Sequence, residues 1–137
     1  MGEVTVEDHV DTSADRVWEL VRDFGGLVSW NPGMESCELE GEGIGAVRKI
    51  KVGGIEVHER LEKSDDAARS FSYAIIAGPI PAENYLATMT IEEAGPNRAK
   101  ITWGATFDAK GVSDEDCAKL FAGIYNGGIE AMRQKLC

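Results

Sequence analysis

The dipeptide Gly53-Gly54 constrains this chain more than any other feature. A two-residue Gly-Gly loop between alternating segments signals a β-hairpin, because both central positions of the favoured primed turn require positive φ. Counting outward pairs Val52 with Ile55, Ile50 with Val57, Arg48 with Glu59 and Ala46 with Leu61. Side chains alternate across a strand, so the opposite face carries Lys49, Lys51, His58, Arg60 and Glu62, as a solvated face does. The face left to point inward is apolar except for Arg48 and Glu59.

A charged pair among apolar neighbours is costly unless it is paired and hydrogen-bonded, and the same setting is how a cavity tunes an acid or a base. Two readings follow: a structural salt bridge, or strand-end charge reaching solvent, and a functional site. Both depend on the register, because a slip of one residue would turn the pair outward.

With 137 residues the chain suits a single domain, residues 1–137, that buries most of its surface and encloses a core or a pocket without disulfides. Its 14 basic and 24 acidic residues give a net charge of −10, which disfavours nucleic acid and anionic membranes as partners. No apolar run approaches the roughly 18 residues of a spanning helix, and Met1-Gly2-Glu3-Val4-Thr5 has no signal-peptide character. A soluble cytoplasmic protein, monomer or weak dimer, is expected. Cys37, Cys117 and Cys137 show no metal-ligand spacing and read as free thiols, with Cys37 packed inside; no metal site is indicated.

Alternation over Glu3 to Val10 predicts a first strand. Thr12 or Ser13 then caps a helix whose apolar positions Val17, Trp18, Leu20, Val21 and Phe24 recur until Gly25-Gly26. After Trp30-Asn31-Pro32-Gly33, a strand with Glu35, Cys37 and Leu39 on one face leads into the hairpin. Three more strands follow, carrying Phe71, Tyr73 and Ile75, then Tyr85, Ala87, Met89 and Ile91, then Ile101, Trp103, Ala105 and Phe107. Ser113 caps a last helix opened by acids, with a stripe of Cys117, Leu120, Phe121, Ile124, Gly128, Ile129, Met132 and Leu136. Gly123, Gly127 and Gly128 cost that helix roughly 1 kcal/mol each against Ala, either for close packing or to leave room for a ligand. The order predicts an α+β domain: a curved seven-stranded antiparallel sheet around a long C-terminal helix, with two short helices after the first strand and a pocket between sheet and helix.

This pattern, with the segment Ser13 to Phe24, resembles the helix-grip (START-like) superfamily of birch-pollen-allergen, lipid-transfer and polyketide cyclase/dehydrase proteins. Gly45-Ala46-Val47-Arg48, Glu59-Arg60-Leu61-Glu62, Ser72-Tyr73 and Asn84-Tyr85 resemble the branch that holds plant abscisic-acid receptors and lachrymatory-factor synthase. Where the receptors place a carboxylate-anchoring lysine before a Ser-Cys pair, this chain has Glu35 before Ser36-Cys37, which argues against a receptor of that type. The synthase's catalytic arginine, glutamate and nearby tyrosine match Arg48, Glu59 and Tyr85; its N-terminal extension is missing and its loops differ, so its substrate is not carried over.

The reading that follows is a cavity in which Arg48 holds an oxygen, Glu59 shuttles a proton and Tyr85 orients substrate or relays a proton. Glu35, Tyr73, Phe71, Met89, Trp103, Phe107, Ile124 and Gly128 are the candidate substrate-binding residues. His9 and His58 fall on polar faces, which disfavours a histidine base. Such a set suits cyclisation, dehydration or rearrangement (lyase- or isomerase-like chemistry) of a small, largely apolar or weakly acidic molecule, with no cofactor. The rival class is a non-catalytic binder or carrier of a small hydrophobic ligand.

Overall fold

The computed structural model describes residues 1–137. Seven antiparallel strands form one sheet: β1 (Gly2–Val10), β2 (Ser36–Glu40), β3 (Val47–Val52), β4 (Ile55–Asp65), β5 (Ser70–Ala77), β6 (Ala82–Glu93) and β7 (Ala99–Ala109). Their order in space is β1-β7-β6-β5-β4-β3-β2, so β2 to β7 meander and β1 returns to pair with β7. Helix α1 (Ala14–Val21) and a 3-10 segment (Phe24–Ser29) link β1 to β2, and α2 (Asp114–Leu136) closes the chain. This is the expected α+β helix-grip architecture. No helix is long and apolar enough to cross a membrane.

The hairpin forms in the register that its turn dictates. Gly53 and Gly54 take φ of 56° and 80°, and Arg48 lies opposite Glu59. Ala46 and Leu61 extend the ladder by a backbone bond of 2.9 Å. Along β6 the pleat is broken once: Asn84 adopts φ 53°, a register shift falls between Glu83 and Leu86, and the Asn84 amide donates to Asp108 at 2.9 Å. This bulge re-aims the strand. Ala82 and Tyr85, of opposite parity, are therefore both buried, and Tyr85 shares the inner face with Ala87, Met89 and Ile91.

Both helices begin at serine caps, Ser13 accepting from the Arg16 amide and Ser113 from the Asp116 amide. The first helix stops at Val21, before Phe24, because Gly25-Gly26 belongs to the tighter 3-10 turn. Trp18 and Phe24 come down on Phe71 from that side, with ring centroids 6.1 and 6.4 Å away.

The buried face of α2 is Cys117, Phe121, Tyr125, Gly128, Ile129, Ala131 and Met132. This corrects the expected stripe: Leu120 and Ile124 stand about half exposed, and Tyr125 takes the inward place. Gly128 resolves in favour of close packing, not ligand room. A Cβ there would lie 2.7 Å from the Trp103 ring, which stacks on Tyr125 at 4.6 Å. At Gly123 and Gly127 a Cβ would meet nothing within 4 Å.

The three glycines should therefore separate. Gly128→Ala is expected to lower stability by about 1–3 kcal/mol through overpacking against the indole, whereas Gly123→Ala and Gly127→Ala should each raise it by about 0.5–1 kcal/mol. Urea unfolding followed by circular dichroism checks this; a neutral Gly128→Ala would show that Trp103 is free to move.

Candidate functional site

The inner face of the hairpin builds the site. Arg48, on β3, gives both Nε and Nη2 to the same oxygen of Glu59, Oε1, each at 2.8 Å. Its Nη1 donates to the Phe24 carbonyl at 3.1 Å, and its guanidinium lies 4.0 Å from the centre of the Phe24 ring and 5.1 Å from that of Tyr73. The Arg48 side chain is only 6% exposed and the Glu59 side chain 12%. The donors of Arg48 are thus directed at protein groups, with aromatic rings against its flat surface.

Glu59 is different, because its second oxygen accepts nothing from the protein. No fully buried side-chain nitrogen or oxygen in the structure lacks a partner, so Oε2 keeps some exposure, and Glu59 lines two cavities. The larger, about 170 Å³, runs from Glu59 and Tyr73 past Tyr85 and Tyr125 to a rim that includes Met34, Ile55, Ile80 and Ile124. A smaller one of about 50 Å³ adjoins it, bounded by Arg48, Phe71, Met89, Trp103 and Trp30. Met34, Ile50, Glu59, Tyr73 and Ile124 belong to both walls.

All three tyrosines of the chain converge here, from three elements: Tyr73 on β5, Tyr85 on β6 and Tyr125 on α2. The Tyr85 and Tyr125 hydroxyls bond to one another, and Tyr73 accepts a hydrogen bond from Trp103 Nε1 at 3.2 Å. Burial pushes all three phenols above their ordinary range, and the Glu59 carboxylate adds to the effect on each. They are therefore neutral hydroxyls at physiological pH, able both to donate and to accept.

The sequence-derived candidates divide accordingly. Arg48, Glu59, Tyr73, Tyr85, Phe71, Met89, Trp103 and Ile124 line one or both cavities, Ile124 at the rim. Phe107 and Gly128 do not: Phe107 packs edge-on against Phe121 in the core, and Gly128 receives the Trp103 ring. Glu35 is solvent-exposed and in neither wall, because it precedes β2 and so escapes its pleat, while Met34 turns inward. Cys37 is half-buried instead of fully inside, on the edge strand. Tyr125 and Phe121 were missed as site residues, although their i, i+4 spacing with Cys117 and Ile129 marks a single face.

With this geometry in place, comparison with known proteins assigns the class. A family model described as polyketide cyclase / dehydrase and lipid transport matches residues 1–136, and the chain belongs to that family. The structure of XoxI from Bacillus cereus superposes with a TM-score of 0.91 at 34% identity, covering 98% of this chain and 95% of that one. A START superfamily protein from Mycobacterium smegmatis gives 0.83 at 14% identity over 99% and 97% of the two chains. Norcoclaurine synthase from Thalictrum flavum, solved with dopamine and hydroxybenzaldehyde, gives 0.77 at 20% identity over 98% and 85%. The last two are likenesses of fold.

Two predictions follow from the buried charges and phenols. Arg48→Met leaves a carboxylate without its partner and should cost about 3–5 kcal/mol, whereas Arg48→Met with Glu59→Leu should recover most of that loss, since apolar replacement of a whole buried pair is often neutral or stabilising. Chemical denaturation of both variants decides; equal losses would mean that the pair is not electrostatically coupled.

For the tyrosines, the folded phenols ionise above the ordinary value of 10.0, so their contribution to stability is complete below that pH and is lost as pH rises beyond it. The melting temperature should accordingly fall above about pH 10. Because the chain has no other tyrosine, phenolate absorbance should appear together with unfolding. Phenolate absorbance below that pH in the folded protein would contradict it.

Proposed function

We propose that this protein performs acid–base chemistry on a small, largely apolar molecule held between the hairpin and α2, as in cyclisation, dehydration or rearrangement. The observation that carries the reading is the asymmetry of Glu59: one oxygen is fixed by Arg48, and the other faces an apolar cavity with no partner from the protein. In this reading Glu59 Oε2 takes a proton from a substrate carbon or hydroxyl, and the electron pair released moves toward an oxygen that accepts a hydrogen bond from the tyrosine hydroxyls. Glu59 then returns the proton at another position. Arg48 acts in this reading as a positioning residue that keeps the carboxylate oriented, each of its three nitrogens meeting Glu59 or Phe24. The chemistry calls on no cofactor.

The larger cavity is smaller than the roughly 300–1,000 Å³ typical of drug-sized sites, so its volume of about 170 Å³ favours a compact, single-ring ligand over a multi-ring one. An acidic exterior around an apolar cavity likewise favours such a ligand over nucleic acid or an anionic membrane surface. The carrier reading draws on the wall of the same cavity, where Glu59 is the only charged residue.

The two readings part on proton exchange. For a bound carbonyl compound with a hydrogen on the adjacent carbon, the protein in heavy water should accelerate exchange of that hydrogen, as followed by NMR. Glu59→Gln should keep the ligand bound and slow exchange by a factor on the order of 10² to 10⁴. Ligands that bind and come back unexchanged would favour the carrier, and an unchanged rate in Glu59→Gln would remove Glu59 from the chemistry.

A further inference from the structure

The polar end of the larger cavity has a defined hydrogen-bonding character, and it differs from what a lone arginine would impose. No lysine, arginine or histidine lines this cavity; Arg48 bounds only the smaller one, held by Glu59 and with the Phe24 and Tyr73 rings against it. The one charged group in its wall is therefore Glu59, whose Oε2 is an acceptor without a protein partner. Beside it are three tyrosine hydroxyls, none of which donates to Glu59 in the structure. Tyr85 and Tyr125 share one bond, and an indole can only donate, so Trp103 consumes an acceptor site on Tyr73 and supplies none. Even with Tyr73 joined to Tyr85, three hydroxyls in a row have two links and three hydrogens. One O–H is left over for whatever occupies the cavity.

From this we infer that the cavity takes a small apolar ligand carrying one neutral hydroxyl, whose hydrogen goes to Glu59 Oε2 and whose oxygen accepts the unused hydrogen of the tyrosine cluster. An ether can accept but leaves Oε2 unpaired. A carboxylate likewise only accepts, and it brings a negative charge toward Oε2 with no free cation within the wall. A phenol or compact alcohol satisfies both partners. The inference deepens the acid–base reading and rests on it, because the oxygen that orients the ligand is the one proposed to move the proton.

The test uses four probes of one shape: 4-ethylphenol, 4-ethylanisole, 4-ethylbenzoate and ethylbenzene, titrated against the intact protein by NMR. The phenol should bind tightest, by about five- to a hundredfold over ethylbenzene for the two hydrogen bonds it gains, with the benzoate weakest. Glu59→Gln, confirmed as folded by the same spectra, should remove the advantage of phenol over anisole, because an amide can turn a donor toward the ether oxygen. If the probes bind with equal affinity, or if the benzoate binds tightest, the hydroxyl preference is wrong while the ligand cavity stands. If none binds, the cavity reading fails with it.

Discussion

The ion pair between Arg48 and Glu59 is the interaction to which the rest of the site is fitted. A buried pair of this kind is a poor source of stability: the desolvation of both ions roughly cancels their attraction, and well-packed apolar replacements often do as well or better. What it provides is fixed geometry. The guanidinium ties β3 to β4 through Glu59, reaches the 3-10 segment through the Phe24 carbonyl, and lies against the rings of Phe24 and Tyr73. Removing one partner strands the other, so the pair stands or falls together, and the four elements around it share its position.

That fixed geometry matters because only one carboxylate oxygen is occupied. Had Arg48 gripped Glu59 through both oxygens in the usual fork-to-fork manner, neither oxygen would be left without a donor from the protein. Donating twice to Oε1 leaves Oε2 to the cavity. The tyrosines complete the arrangement from the next strands of the same face, β5 and β6, and from α2, and the bulge at Asn84 is what allows β6 to contribute. Regular alternation from Ala82 would send Tyr85 outward.

The hairpin was legible in the sequence because its turn admits one register: two glycines with positive φ fix the pairing, and pairing fixes which residues face inward. The element order was legible for similar local reasons, from serine caps and from glycine and proline breaks. The face of α2 was not. Its apolar surface is wider than the sheet covers: Ile124 lies at the cavity rim and Leu120 stands exposed, yet in the sequence both look no different from Phe121 and Tyr125. Glu35 was misplaced by extending strand alternation one residue beyond the point where β2 begins. The bulge at Asn84 has no signature in composition, and Tyr85 was found by counting within the strand and through the family resemblance.

The role of Arg48 turns on a distinction that sequence cannot make. An arginine and a glutamate facing inward on paired strands are compatible with two opposite cavities, one presenting the cation and one presenting the carboxylate. Which one forms depends on what else can satisfy the guanidinium. Here the Phe24 carbonyl and two aromatic rings do so, and they arrive from a 3-10 turn and a strand well separated from β3 in the chain. With each of its nitrogens on a protein oxygen, the arginine stays out of the larger cavity's wall, where Glu59 is the one charged residue. A residue that appears in the sequence as an anion anchor is, in the fold, the residue that holds the Glu59 carboxylate at the cavity wall.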